Sequence, residues 1–115
     1  MLRTNLTHVL SEQEHAKLLQ ENENVMICCG RMGPMCIPVY ESMEELEGEY
    51  KNIKFADMEF DTPDAKVIRN LPECRSFQGL PFVVYYKNGK VVKATSSIQS
   101  KEQITEILDA HFGNN

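Results

Sequence analysis

One stretch limits the fold more than any other. Pro81-Phe82-Val83-Val84-Tyr85-Tyr86 is a strongly apolar run opened by a proline, which reads as a β-strand. Lys87-Asn88-Gly89-Lys90 follows as a hairpin turn, because Asn-Gly tolerates the positive φ that a tight turn demands. Val91 to Thr95 is the return strand. Tyr85 and Tyr86 alternate on their strand, so one is expected in the core and the other half-exposed.

Upstream of the hairpin, strands and helices alternate. Ser11-Glu12-Gln13-Glu14 has the capping-box pattern and starts a first helix. A strand is expected before it, near Leu6 to Leu10. Val25-Met26-Ile27-Cys28-Cys29 is apolar without alternation and reads as a buried strand. Gly30 to Pro34 breaks it as a turn. Val39, Met43, Leu46 and Tyr50 recur at helical spacing, with the glutamates largely elsewhere. Pro38 is tolerated only in a first turn, so Cys36 falls at or just before the start of this helix. Ile53 to Phe60 is a further strand. Asp61-Thr62-Pro63-Asp64 turns into a short helix over about Ala65 to Leu71, and Pro72 to Gly79 is a loop carrying Cys74. Ser100-Lys101-Glu102-Gln103 is a second capping box, opening a last helix with Ile104, Ile107, Leu108 and Phe112 on its core face. Alternation of this kind favours layered α/β architecture.

A chain of 115 residues is expected to be a single domain, 1–115. A formal net charge of −5 argues against nucleic-acid and anionic-membrane partners, since there is no basic surface to displace phosphate counterions. No run approaches the roughly 18 apolar residues of a membrane span. Read as a complete chain, it lacks a secretory signal and is expected to be a cytoplasmic monomer. Four cysteines in a reducing compartment are then catalytic, redox-sensing, metal-binding or buried thiols rather than a static framework. His8, His15 and His111 are scattered and suggest no metal site.

The stretch Gly79 to Val92, with Ser100 to Gln103 and Leu108-Asp109-Ala110 after it, resembles the C-terminal half of thioredoxins without gaps. Ile53 to Asp61 resembles that family's third strand and its closing aspartate. The resemblance covers about residues 5 to 112. It implies the thioredoxin fold, a central mixed sheet of four to five strands flanked by helices on both faces. It also implies a cis peptide bond before Pro81, beside the reactive sulfurs, and a Leu80 backbone that pairs with an extended substrate segment.

The family carries Cys-Gly-Pro-Cys where the second strand meets the second helix; here the residues are Arg31-Met32-Gly33-Pro34-Met35-Cys36. Aligned through the helix, Cys36 falls on the second cysteine and Gly33 on the first, nucleophilic one. Aligned on Gly33-Pro34, Met32 takes that place. The buried acid common on the preceding strand is missing, the residues there being Met26, Ile27 and Cys28.

Cys36 has the best physical case for reactivity. A helix N-terminus presents free N–H groups and about half a positive charge, which favours thiolate over thiol by roughly 1 kcal/mol. Arg31 adds to this if it folds over the site. The partner sulfur is left open between two candidates. Cys29 lies seven residues earlier, and the intervening loop can fold back to close a Cys29–Cys36 disulfide. Cys74 lies seven residues before Pro81, in a loop that the resemblance brings near the active-site edge. Cys28 and Cys29 are neighbours on a strand and point to opposite faces, so Cys28 is expected in the core. Gly33 and Pro34 supply a rigid turn with close backbone approach.

By resemblance, the chain is expected to be a thiol–disulfide oxidoreductase with an atypical site at Cys36 with Cys29 or Cys74, binding substrate at Gly33, Pro34, Leu80 and Pro81. Its partners would be protein disulfides and an electron donor of the thioredoxin-reductase type, with no cofactor and no metal. One alternative is a redox-inactive binding module of the same fold. Another is a metal or iron–sulfur site on all four cysteines, whose spacing matches no usual cluster motif.

Overall fold

The computed structural model describes residues 2–76 and 79–113. The elements are β1 (Thr7–His8), α1 (Glu12–Glu21), β2 (Asn24–Gly30), α2 (Ile37–Glu49), β3 (Lys54–Glu59), α3 (Lys66–Arg69), β4 (Phe82–Lys87), β5 (Lys90–Ser96) and α4 (Lys101–His111). Among the described residues no helix is long and apolar enough to cross a membrane.

The capping residues act as their chemistry dictates. Glu14 N–H donates to Ser11 Oγ, and Leu10 N–H donates to Glu14 Oε1. Ser100 and Gln103 bond reciprocally, so two orphan donors at the start of α4 are satisfied. Pro38 sits in the first turn of α2 with Cys36 as its N-cap, and at the other end Tyr50 N–H donates to Leu46 C=O.

The five strands form one mixed sheet in the order β1-β3-β2-β4-β5. β2 and β3 are parallel, with Cys28 opposite Asp57; β2 and β4 are antiparallel, with Cys29 opposite Phe82. The Asn88-Gly89 turn has positive φ at both residues, as the β4–β5 hairpin requires. The first strand is shorter than the expected Leu6 to Leu10. It is an edge strand with two register pairs to β3, extended by a bond from Val9 N–H to Asp57 C=O.

Strand parity splits the interior into two cores. Met26, Cys28, Phe55, Val83 and Tyr85 pack with Val39, Tyr40, Met43 and Leu46 of α2 and Ile104 and Leu108 of α4. Val25, Ile27, Cys29, Met58, Phe82 and Tyr86 pack on the opposite face with Leu18 and Leu19 of α1 and Ile68 of α3. Helices therefore cover both faces, as the resemblance implies.

Two further expectations are corrected. Tyr85 and Tyr86 do alternate, but both are buried. α1 lies over the second face, where His15 Nε2 is 3.2 Å from the Tyr86 hydroxyl and the two rings meet edge-on. The loop expected from Pro72 to Gly79 begins as a 3-10 turn over Pro72–Ser76, with Cys74 N–H donating to Leu71 C=O. Residues 77–78 of that loop lie outside the described residues.

Candidate functional site

The site forms where β2 ends and α2 begins. Gly33 C=O accepts bonds from both Cys36 N–H and Ile37 N–H, at 3.1 and 3.0 Å, which folds the turn and sets Cys36 at the head of the helix. Arg31 N–H points at Cys36 Sγ across 3.5 Å. The Tyr40 hydroxyl donates to Arg31 C=O at 3.1 Å and braces the same turn from the first core. Gly30 is required here by close approach. A Cβ at that position would stand 2.7 Å from Tyr40 Oη and 2.9 Å from Cys36 Sγ.

An open groove of about 270 Å³ lies over this turn, lined by Arg31, Gly33, Pro34, Met35, Cys36 and Leu80. Four residues expected at the site from sequence, Gly33, Pro34, Cys36 and Leu80, are thus brought together. Leu80 is half-buried and packs against both cores. Pro81, just behind it and buried, follows a cis peptide bond and immediately precedes β4. Met35, which lines the groove, and Ile37, the first residue of α2, are exposed apolar side chains.

All four cysteines are free and buried. Cys36 and Cys28 belong to the core under α2 and α4; Cys29 and Cys74 belong to the other. The sheet separates the two pairs, so the four sulfurs do not converge as one metal-ligand set. Among the described residues no three His, Cys, Asp or Glu side chains are grouped to hold a metal. Burial pushes the Cys28 thiol well above its ordinary value, with Cys36, Cys29 and Asp57 adding to the effect. The Cys29 thiol is pushed up to about 12, by burial first and then by Cys74, with Arg69 pulling the other way. Burial raises Cys74 too, again opposed by Arg69.

Arg31 does not fold its side chain over the thiol. Its guanidinium makes a fork to Asp61, Nε–Oδ2 2.7 Å and Nη2–Oδ1 2.8 Å, and lies over the Phe60 ring. What Arg31 offers Cys36 directly is its backbone N–H.

A second constellation escaped the sequence reading. No acid stands on β2, but Asp57 of β3 is buried beside Cys28 at 1% exposure. Thr4 Oγ donates to Asp57 Oδ2, and His8 Nδ1 lies 2.7 Å from Oδ1. An ionised carboxylate only accepts, so His8 Nδ1 carries the proton of that bond. Burial raises the Asp57 carboxyl above its ordinary range, while the Thr4 and His8 bonds partly restore it. The available signal was a lone acid inside the apolar strand Phe55-Ala56-Asp57-Met58.

The sheet order, the helices on both faces and the cis proline beside the α2 turn define the thioredoxin fold, and the chain has that fold. Solved structures agree. It is similar to thioredoxin f2 of Chlamydomonas reinhardtii, with a TM-score of 0.79 and 12% identity over 96% of this chain and 100% of that one. It is similar to Plasmodium falciparum thioredoxin, with a TM-score of 0.71 and 19% identity over 92% and 99% of the two chains. A solution structure of oxidised thioredoxin from the same organism gives 0.72 and 18% over 93% and 98%. No protein-family model matches the chain, and no curated protein matches it by sequence.

Proposed function

We propose that the chain carries out thiol–disulfide exchange on protein disulfides, through an atypical site centred on Cys36. The observation that carries this reading is the groove in which Cys36 meets Gly33, Pro34, Met35 and Leu80 beside the cis Leu80–Pro81 bond. An extended segment lying along Leu80 would bring its disulfide to the head of α2. Cys36 sulfur would attack it, forming a mixed disulfide and releasing the substrate's other sulfur as thiolate. The Arg31 N–H and the first turn of α2 stand beside this sulfur. Cys29 and Cys74 pack in the other core, so an incoming thiol resolves the mixed disulfide, supplied by an electron donor of the thioredoxin-reductase type. Four free thiols suit a reducing, cytoplasmic setting.

A second reading, a binding module without turnover, is favoured by two observations. By either alignment a residue other than cysteine, Gly33 or Met32, stands at the position of the first cysteine in thioredoxins, and Cys36 is 3% exposed. One experiment separates them. The protein is incubated with a disulfide-linked model peptide and glutathione, and intact mass is followed with time. A mixed disulfide on Cys36 and peptide reduction lost in Cys36→Ser support exchange. Peptide binding that is equal in wild type and Cys36→Ser, with no adduct, supports the binding module.

A further inference from the structure

The turn that bears Cys36 borders a second open groove, of about 430 Å³, between α2 and the N-terminal segment. Ile37, Tyr40, Glu41 and Glu44 line it from the helix. Positions three and four apart share a helix face, so these four form one stripe, and the groove runs along α2 from the residue next to Cys36. Arg3, Thr4 and Asn5 make the facing wall. That wall is tied down at two points: Asn5 N–H donates to Glu44 Oε2 at 2.7 Å, and Arg3 N–H points at Met32 Sδ across 3.3 Å.

The lining is apolar at the end near Cys36, where Met32 and the exposed Ile37 lie, and acidic further along the helix. Glu41 and Glu44 face the single cation Arg3, which leaves the groove net negative. Arg31, the charged residue that lines the Cys36 groove, is balanced by its fork to Asp61. Lysine and arginine suit such a lining, since their stems pack on apolar surface while the head meets a carboxylate. The helix rises about 1.5 Å per residue, which puts Glu41 about 7.5 Å and Glu44 about 12 Å along the axis from Cys36. An extended segment advances about 3.3 Å per residue, so these acids lie abreast of positions about two to four residues from its cysteine. We propose that this groove selects the substrate: the site takes disulfides in segments that carry a lysine or arginine about two to four residues from the reacting cysteine. The proposal rests on the reading of Cys36 as the exchanging thiol. The arm of the segment beyond the cysteine passes over Ile37 and sets its cation against Glu41 and Glu44.

The test uses the full chain and four peptides of one sequence, each with its cysteine as a 2-pyridyl disulfide. Cys36 attacks the peptide sulfur; the Cys36–peptide bond forms, the bond to the pyridyl sulfur breaks, and thiopyridone leaves with a proton, followed by absorbance. The position about three residues from the cysteine is arginine, glutamine or glutamate, and the fourth peptide carries its arginine about eight residues away. At low ionic strength the near-arginine peptide should react about 2- to 5-fold faster than the glutamine peptide, with glutamate slowest and the difference lost in high salt. Glu41→Lys, a change at an exposed position, should abolish the preference, and Arg3→Glu should widen it. Equal rates for the three near-site peptides overturn the proposal. So does an equal gain from the distant arginine, which would mean simple attraction to a chain of net charge −5. If no peptide forms an adduct, the exchange reading fails, and the groove is decided by anisotropy of fluorescein-labelled peptides with serine for cysteine. Tighter binding of the near-arginine peptide, lost in Glu41→Lys, supports the groove's selectivity; equal binding of all four overturns it.

Discussion

Cys36 Sγ lies where Gly30 has no room for a side chain: a Cβ on Gly30 would stand 2.9 Å from that sulfur and 2.7 Å from Tyr40 Oη. Neither neighbour is a free end. Cys36 and Tyr40 are 3% and 2% exposed, and the tyrosine hydroxyl is bonded to Arg31 C=O. Gly30→Ala should therefore overpack the turn and destabilise the protein by about 1–3 kcal/mol in urea denaturation. The least obstructed movement is of Cys36 toward the groove, so iodoacetamide should modify Cys36 faster in the variant. Wild-type stability together with wild-type alkylation would show that the contact is not tight.

Much of this site was legible before folding. Pro38 alone set the start of α2 to within a residue and so put Cys36 at a helix head, because proline tolerates few places in a helix. Both capping boxes marked true helix starts. Strand parity correctly separated Cys28 from Cys29. The face that each sulfur joins was not legible, since it depends on which helices cover which side of the sheet. That is a property of the chain crossovers. The expectation that one of Tyr85 and Tyr86 is half-exposed failed for the same reason, since Tyr86 meets His15, 71 residues away in sequence. Asp57 was missed because its partners, Thr4 and His8, reach it from the N-terminal segment rather than from its own strand.

Asp57 is a test of what a buried carboxylate does here. Its folded value lies above the unfolded one, through burial, despite the Thr4 and His8 bonds. A group raised in this way stabilises the fold fully below its unfolded value, near 3.9, and that stability is lost as pH rises through the folded value. At neutral pH the ionised carboxylate is thus a net burden. Asp57→Asn, which cannot ionise and keeps one acceptor, should be more stable than wild type at pH 7. The advantage should narrow as pH falls toward 4. Urea midpoints across that range give the answer, and a variant weaker than wild type at pH 7 would mean that the two bonds outweigh burial.

His15 shifts in the opposite sense to the Asp57 carboxyl. Burial holds its imidazole below the ordinary value of 6.5. The unfolded chain then takes a proton from about pH 6.5 downward while the folded protein resists it. Its contribution is present above that value and lost as pH falls through the folded one. His15→Gln retains a polar group toward the Tyr86 hydroxyl and removes the titration. The fall in stability between pH 7 and pH 5 should be shallower in the variant than in wild type. Parallel curves would place the acid sensitivity elsewhere.

Cys29 makes the last prediction, at the alkaline end. Its thiol is pushed up to about 12 by burial and by Cys74, from an ordinary value of 9.0. The stability it contributes is complete below the unfolded value and lost as pH climbs through the folded one, so Cys29→Ala should flatten the decline of stability between pH 9 and pH 11. The same shift governs chemistry at pH 8. A rise of about three units lowers the thiolate fraction on the order of 10³-fold. In the folded, reduced protein, iodoacetamide should modify Cys29 at least about 100-fold more slowly than in urea. A Cys29 alkylated at the unfolded rate under native conditions would mean that the second core admits reagent freely, and burial would then not be what raises this thiol.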